Sequence, residues 1–334
     1  MTTTAFDPSL LFSVGSFSSS YEFKVRSGVR GRNLSPIKSG GRANKASSLT
    51  TTITTTNNSN DDSSESDFGA FGRRGLILTA TLPFILRLHS STNGFEAHAA
   101  DEFALIREEV RKVVSTERAA GVLRLAFHDA GTFDMEENSG GMNGSIIYEL
   151  DRFENAGLKK SLKIVEKAKS ELDKIKPVSW ADMIAVSGAE AVSVCGGPII
   201  PVQLGRMDSM VPDPEGKLPL ETLDAPGLKQ CFLRKGFCTQ ELVALSGAHT
   251  LGGKGFGSPT VFDNSYYKIL LEKPWLSSAG MSSMIGLPSD HALAEDDECL
   301  RWITIYANDQ KRFFEDFKNA YVKLVNSGAR WKSV

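Results

Sequence analysis

Residues 123–133 read Leu-Arg-Leu-Ala-Phe-His-Asp-Ala-Gly-Thr-Phe, which predicts an apolar helix with a polar end. Arg124 and His128 are four residues apart, so a helix places both side chains on the same face. A lone helical histidine is usually structural. This motif by itself therefore indicates a helix and leaves the role of His128 open.

A second histidine lies in a similar setting. Residues 243–250 read Val-Ala-Leu-Ser-Gly-Ala-His-Thr, and His249 again stands at the end of an apolar helix. The chain has five histidines, of which His89 and His98 lie in an N-terminal region of different composition. Two of the other three thus end apolar helices with motifs of their own, which favours a functional pair.

Helical spacing of apolar residues dominates the chain from residue 101 onward, and strand-like alternation is scarce. Glycine and proline separate the helical patterns, and a long irregular stretch is predicted from Gly205 to Leu223. Ser179 and Thr239 are each positioned to cap a helix. The predicted helices are Asp101–Ser115, Arg118–Asp129, Gly157–Lys174, Trp180–Val194, Thr239–Ala248, Asn264–Leu271 and Asp309–Asn326.

The two histidine motifs resemble those of plant haem peroxidases, most closely the class I family that contains the ascorbate peroxidases. Further matching segments follow in the family's order from about residue 103 to 325. The resemblance implies an all-α haem-peroxidase fold, with two helical halves around a central haem crevice. Among these segments are Gly-Gly-Met-Asn-Gly at 140–144, Asn-Ala-Gly-Leu at 155–158, Ser-Trp-Ala-Asp at 179–182, Phe-Asp-Asn-Ser-Tyr at 262–266 and Leu-Pro-Ser-Asp at 287–290.

Peroxide cleavage at a haem iron needs a base that moves a proton between the two oxygens. It also needs a cation that stabilises the charge on the leaving oxygen. The resemblance implies that His128 is this base and Arg124 this cation, and that the side chain of Asn155 orients His128. These three residues are the expected catalytic group, with hydrogen peroxide as substrate.

The resemblance also implies a binding site for haem b. His249 matches the residue that ligates the haem iron, and Asp290 matches the carboxylate that makes this imidazole more electron-donating. Phe127 and Ser246 belong to the same two motifs and are expected to line the haem. Phe127 stands where ascorbate peroxidases carry a tryptophan, and other plant peroxidases also have phenylalanine there.

The connection from Thr250 to Val261 departs from the family, because it is shorter. The missing stretch supplies a histidine near a haem propionate, the arginine that binds ascorbate and the tryptophan beside the iron ligand. No obvious substitute for these three residues is found in the sequence. Lys254 is the only basic residue of the connection and Phe256 its only aromatic one.

Two functions are compatible with this pattern. The first is an ascorbate-peroxidase-like enzyme that reduces hydrogen peroxide in the response to oxidative stress, with weak or lost ascorbate activity and an unknown electron donor. The second is a non-catalytic protein that keeps the scaffold and binds a photosynthetic complex such as photosystem II. In the second case Arg124, His128, His249 and Asp290 persist as a buried polar network without haem.

The first hundred residues predict a two-part targeting region. Residues 1–68 are rich in serine and threonine and nearly free of acids up to residue 60, which is typical of a cleaved, disordered chloroplast transit region. Residues 69–99 contain Arg73-Arg74, a short apolar run and Ala-His-Ala, which resemble a cleaved twin-arginine signal. This order predicts that the peroxidase-like domain, residues 100–334, lies in the thylakoid lumen and can contact a membrane complex there. It also predicts no transmembrane helix, because the apolar run is too short to span a bilayer.

The net charge and the cysteine spacing limit which partners and sites the sequence predicts. Residues 1–100 carry 10 of the 38 basic and 7 of the 40 acidic residues, which leaves 28 basic against 33 acidic in the remainder. A net charge of −5 there argues against nucleic acid as a partner. Cys231 and Cys238 are close enough in sequence to suggest a disulfide, and no cysteine pair has the spacing of a metal site.

Overall fold

Helices account for the regular structure of the part of the chain that is described. The structure is a computed structural model, and it describes residues 101–277 and 284–333. The predicted transit region and export signal lie outside these residues and stay predictions. Within the two described ranges, strands are absent, and pairing is limited to two isolated bridges, Asp134 with Ser139 and Arg206 with Trp331. The all-α prediction is confirmed.

Ten α-helices are described. Four short 3₁₀ helices join them, at Ser145–Tyr148, Phe153–Asn155, Gly247–Thr250 and Pro274–Leu276. None of the helices in the described ranges has the length and apolar character needed to cross a bilayer. The α-helices are α1 (101–113), α2 (Thr116–Ala130), α3 (Leu158–Leu172), α4 (Trp180–Val194), α5 (Ala225–Arg234), α6 (Thr239–Ser246), α7 (Ser265–Glu272), α8 (Pro288–Leu293), α9 (Asp297–Asn308) and α10 (Gln310–Asn326).

Helix starts depend on local hydrogen bonds. The Ser179 side chain accepts a hydrogen bond from Asp182 N at 3.1 Å, so the predicted cap of α4 is confirmed. The predicted cap at Thr239 is wrong, because Thr239 is already inside α6 and Cys238 precedes it. Cys238 N donates to the Glu241 carboxylate at 2.8 Å, so the glutamate satisfies the backbone there.

The core forms where α2 and α10 pack against α4. Every residue from Ala181 to Val192 is buried, so α4 is covered on all sides. Gly188 permits this approach, because a Cβ at that position would lie 2.6 Å from Ala126 Cβ and 2.1 Å from the Tyr321 hydroxyl. The approach fixes the position of α2, whose last turn carries His128.

Residues 327–332 are bound to loops from the middle of the sequence. Met142 N donates to Ser327 O at 3.0 Å, and Met207 N donates to Arg330 O at 2.8 Å. Lys332 N donates to Gly205 O at 2.9 Å. These bonds make the segment after α10 a structural part of the fold and join it to the loop that precedes Ser145–Tyr148.

Arg206 is a fully buried cation at this junction. Its guanidinium donates to Asp182 at 2.9 Å, to Val325 O at 2.8 Å and to Asn326 Oδ1 at 2.7 Å. Its carbon Cζ also lies 4.7 Å from the centre of the Trp331 ring. The loop, α4 and the end of α10 therefore meet on one side chain.

We expect Arg206→Met to lower the free energy of unfolding by about 3 to 5 kcal/mol, because the buried Asp182 carboxylate would lose its counter-charge. Urea denaturation followed by circular dichroism measures this change. Lys159→Met is the matched control, since Lys159 and its partner Asp151 are both exposed and such pairs contribute about 1 kcal/mol or less. Equal losses in the two variants would contradict the assigned role of Arg206.

All four cysteine thiols in the described residues are free. Cys231 lies half-buried in α5, whereas Cys238 is exposed at the start of α6. The structure therefore does not contain the disulfide suggested by the spacing of Cys231 and Cys238.

Candidate active site

A cavity of about 550 Å³ lies between the two helix ends that carry His128 and His249. His128 is in the last turn of α2, and His249 is in the 3₁₀ turn Gly247–Thr250 that continues from α6. The predicted helix Thr239–Ala248 thus ends at Ser246, and its last residues tighten into this turn. Most of the lining side chains between the two histidines are apolar, among them Leu123, Phe127, Leu220, Phe232, Leu242, Leu245 and Leu287.

Asn155 fixes the proton arrangement of His128. Asn155 Nδ2 donates to Glu149 O at 2.9 Å, so the amide oxygen of Asn155 points the other way. That oxygen lies 2.7 Å from His128 Nδ1, which must therefore be the protonated nitrogen. The lone pair of a neutral His128 is then on Nε2. The structure brings His128 and Asn155 together as the sequence predicts.

Burial keeps His128 neutral. Desolvation, with the positive charge of Arg124 acting in the same direction, lowers the pKa of His128 to about 4. The hydrogen bond that His128 donates to Asn155 opposes this shift only in part. An imidazole with so low a pKa is an unprotonated base at neutral pH, which suits it to accept a proton.

Arg124 lines the same cavity but is already engaged by the backbone. Its Nη1 donates to Ala156 O at 2.9 Å and its Nη2 donates to Glu154 O at 2.8 Å. A guanidinium has five N–H donors, so three remain for another partner. The carbonyls of the turn around Asn155 therefore hold the cation beside His128.

On the opposite wall, His249 is paired with a buried carboxylate. His249 Nδ1 lies 2.7 Å from Asp290 Oδ1, and Leu287 N donates to the second oxygen of Asp290 at 2.8 Å. The side chain of Asp290 is only 2% exposed, whereas that of His249 is 39% exposed. The imidazole thus turns its free Nε2 edge toward open space. Although burial lowers the pKa of His249, the charge and hydrogen bond of Asp290 reverse the shift and raise it.

Tyr266 is a member of this group that was not assigned a role from the sequence. Its hydroxyl donates to Asp290 Oδ1 at 2.9 Å, and its ring centre lies 6.0 Å from that of His249, edge to face. Tyr266 lies outside the connection from Thr250 to Val261, in the matching segment Phe-Asp-Asn-Ser-Tyr at 262–266. That this connection has no substitute for the tryptophan therefore stays a prediction.

Phe127 and Ser246 both line the cavity. The Phe127 ring stacks on Phe232 with centres 6.5 Å apart and meets the edge of His128 at 6.2 Å. The Ser246 hydroxyl donates to Leu242 O at 2.9 Å, within its own helix. Phe127 therefore forms part of the apolar wall, while the hydroxyl of Ser246 is hydrogen-bonded to a backbone carbonyl.

The short connection contributes one cation and one ring. Lys254 lines the cavity, and Gly286 N donates to its carbonyl at 2.8 Å. Phe256 is 1% exposed and packs against Tyr266 with ring centres 4.7 Å apart. Glu221, from the irregular stretch predicted between Gly205 and Leu223, lies on the cavity wall as an acid.

The donor set of the cavity fits a haem. The volume is within the usual range of cofactor pockets, and the lining is mainly apolar, as a flat macrocycle requires. His249 turns Nε2 toward the cavity while a carboxylate holds its Nδ1, the usual second-sphere arrangement of an iron-ligating histidine. Arg124 and Lys254 are cations on the same cavity, suited to the carboxylates that such a cofactor carries.

Comparison with known proteins identifies the family of the chain. The sequence profile of the family described as "Peroxidase" matches residues 106–309. "Putative L-ascorbate peroxidase 6" of Arabidopsis thaliana is 58% identical over 333 residues, which cover 99% of this chain and 98% of the relative. "L-ascorbate peroxidase 1, cytosolic" of Oryza sativa subsp. indica is 39% identical over 236 residues, 66% of this chain and 91% of the relative.

A plastid relative is also similar. "Probable L-ascorbate peroxidase 7, chloroplastic" of Oryza sativa subsp. japonica is 36% identical over 273 residues, 70% of this chain and 74% of the relative. The profile agrees with the helical architecture of the described residues. The chain belongs to the peroxidase family and is a homologue of the plant L-ascorbate peroxidases.

Proposed function

We propose that this protein is a haem peroxidase that reduces hydrogen peroxide, with haem b held in the crevice by His249. One observation supports this most directly. His128 and His249 face one cavity, and each has its Nδ1 bound to an acceptor, Asn155 or Asp290, so that Nε2 is free. This arrangement leaves a nitrogen for the iron on one wall and a nitrogen for a proton on the other.

The residues on the His128 wall of the cavity would move the protons. His128 Nε2 takes a proton from one peroxide oxygen and delivers it to the other, which leaves as water. The free N–H groups of Arg124 stabilise the negative charge that develops on the leaving oxygen. Asn155 keeps the other proton of the imidazole on Nδ1 throughout. A bound haem would supply the redox-active iron centre that peroxide oxidises.

The overall reaction needs two electrons and two protons to convert one peroxide to two waters. We propose that ascorbate is a weak donor or none at all, because the short connection has no arginine and Lys254 is its only basic residue. The donor is therefore a different reductant.

We propose the chloroplast thylakoid lumen as the site of action, in the response to oxidative stress. The composition of residues 1–68 and the arginine pair and apolar run of residues 69–99 support this location. The Arabidopsis relative matches 99% of the chain, so its similarity extends through most of this leader as well. One rice relative is named as chloroplastic.

A second function has one observation in its favour. The connection from Thr250 to Val261 has lost the arginine and tryptophan of the family, which suits a scaffold that no longer turns over ascorbate. Such a protein would bind a thylakoid complex, for example photosystem II, on its lumenal side and would carry no haem.

Titration of the full chain with hemin separates these functions. The peroxidase proposal expects a sharp Soret band at one equivalent of hemin, and consumption of hydrogen peroxide by the loaded protein. A protein that binds no hemin at micromolar concentration would contradict the peroxidase proposal and favour the scaffold function.

We expect Lys254→Gln to weaken hemin binding about tenfold, because a charge-assisted bond to a carboxylate contributes about 1.5 kcal/mol. The dissociation constant from Soret titration at low ionic strength measures this change. Lys268→Gln is the control, since Lys268 lies exposed on α7 and outside the cavity. Equal affinities of the two variants would exclude Lys254 as a haem anchor.

A further inference from the structure

Four oxidisable rings form a continuous row that starts beside His249. The ring centre of Tyr266 lies 6.0 Å from that of His249 and 5.0 Å from that of Tyr267. Tyr267 lies 5.1 Å from Tyr306, and Tyr306 lies 6.0 Å from Trp302. The row crosses from α7 to α9 and leads away from the crevice.

Exposure changes only at the far end of this row. Tyr266, Tyr267 and Tyr306 are fully buried, at 0% exposure each. Trp302 is half-buried, so it is the member of the row that solvent reaches. The Arg301 guanidinium lies 5.7 Å from the centre of the Trp302 ring and is itself exposed.

The hydroxyl partners divide the three tyrosines into two kinds. Tyr266 donates to the Asp290 carboxylate and Tyr306 to the Asp316 carboxylate, both at 2.9 Å. Tyr267 instead donates to the carbonyls of Val243 and Ala244, at 3.0 and 3.2 Å. A phenol that loses an electron becomes strongly acidic, and a carboxylate can accept its proton, whereas a backbone carbonyl cannot.

Core packing alone does not require these hydroxyls. Phe313 packs against both Tyr267 and Tyr306, at 5.0 and 6.0 Å between ring centres, without a polar atom. Phenylalanine would also fill the tyrosine positions, and it would spare the cost of burying a hydroxyl that must find a partner. Packing alone therefore does not explain a row of oxidisable rings at these positions.

We propose that Tyr266, Tyr267, Tyr306 and Trp302 conduct electrons from a surface donor at Trp302 to the crevice, and that the donor is a phenolic reductant that never enters the cavity. The inference rests on the proposed peroxidase function. Tyr306 passes its phenol proton to Asp316 when oxidised and recovers it when reduced. Tyr267 and Tyr266 continue the row of rings to His249.

The balance closes with peroxide as oxidant. Two phenol molecules each give one electron and one proton and become phenoxyl radicals. One hydrogen peroxide accepts the two electrons and two protons, and its O–O bond breaks to yield two waters. The donor site at Trp302 thereby explains how turnover proceeds in a protein whose crevice connection lacks the family's arginine and tryptophan.

Spin trapping on the hemin-loaded full chain tests the path. One equivalent of hydrogen peroxide is added without donor but with the trap 2-methyl-2-nitrosopropane, and adducts are located by peptide mass spectrometry. We expect an adduct on Trp302 in the unmodified protein, and a loss of at least tenfold in Tyr266→Phe and in Tyr306→Phe. Tyr148→Phe is the control with an unchanged yield, since Tyr148 is 47% exposed and lies outside the row.

Electron paramagnetic resonance gives the second readout, because a tyrosyl signal is expected in the same samples and is lost with both Tyr266 and Tyr306 replaced. An adduct on Trp302 that persists in Tyr306→Phe would overturn the path. A protein that consumes no peroxide would instead overturn the proposed function, so the two failures are distinct. We expect Trp302→Phe to turn over guaiacol at least tenfold more slowly than Trp180→Phe. Equal rates would exclude Trp302 as the donor site.

Discussion

His249→Ala is expected to abolish the Soret band that forms when hemin is added to the full chain. His249 is the imidazole whose free nitrogen faces the cavity beside a buried carboxylate, so its removal would take away the residue that ligates the iron. Replacing Asp290 by asparagine should have a smaller effect, about 10- to 100-fold in affinity, since second-sphere partners of a metal ligand act at that level.

Two controls make this result specific. Added imidazole should restore the band in His249→Ala, because it can occupy the space left by the side chain. His291→Ala should keep the band, since His291 bonds Ile285 O at 2.7 Å, stacks on Trp275 and does not line the cavity. A band that survives in His249→Ala and disappears in His291→Ala would reverse the assignment of the ligand.

His128→Leu is expected to slow the reaction with hydrogen peroxide by about 10²- to 10⁴-fold, because the base that moves the proton is lost. Stopped-flow absorbance of the hemin-loaded protein measures this rate. Hemin affinity should change little, since His128 lies on the wall opposite His249. An unchanged rate would remove His128 from the mechanism.

The pH dependence of the same reaction follows from the lowered pKa of His128. Burial, aided by the Arg124 charge, sets this pKa at about 4, so the imidazole is neutral above pH 5. The rate should be flat from pH 6 to 8 and should fall as pH decreases through about 4, because protonation removes the lone pair. In Arg124→Leu the fall should occur at higher pH, since the cation that disfavours protonation is gone. A shift to lower pH would contradict this electrostatic role.

Apolar spacing predicted the long helices well. The bounds of α4 match those predicted, Trp180–Val194, because a serine cap and a glycine pair mark its two ends. Helices α5, α8 and α9 were missed, although Asp224 caps α5 through Gly227 N and Asp296 caps α9 through Cys299 N. Proline and glycine open α5, and isoleucine and threonine interrupt α9, so propensity was weak in both.

The candidate site, like the fold, was predicted only in part from the sequence. The motifs placed Arg124, His128 and His249 on helix ends, because each lies within its own local pattern. The partners of these residues come from distant segments, and only the folded chain shows that Tyr266 reaches Asp290. A hydroxyl partner leaves no periodic signal, which is why Tyr266 could not be assigned from spacing.

Residues 327–332 set the order in which the protein can mature. Because Ser327, Arg330 and Lys332 complete the backbone pairing of loops near Met142 and Gly205, those loops stay unpaired while this segment is still inside the ribosome. Folding is therefore completed after translation of the domain, and a chaperone has a defined interval in which to act.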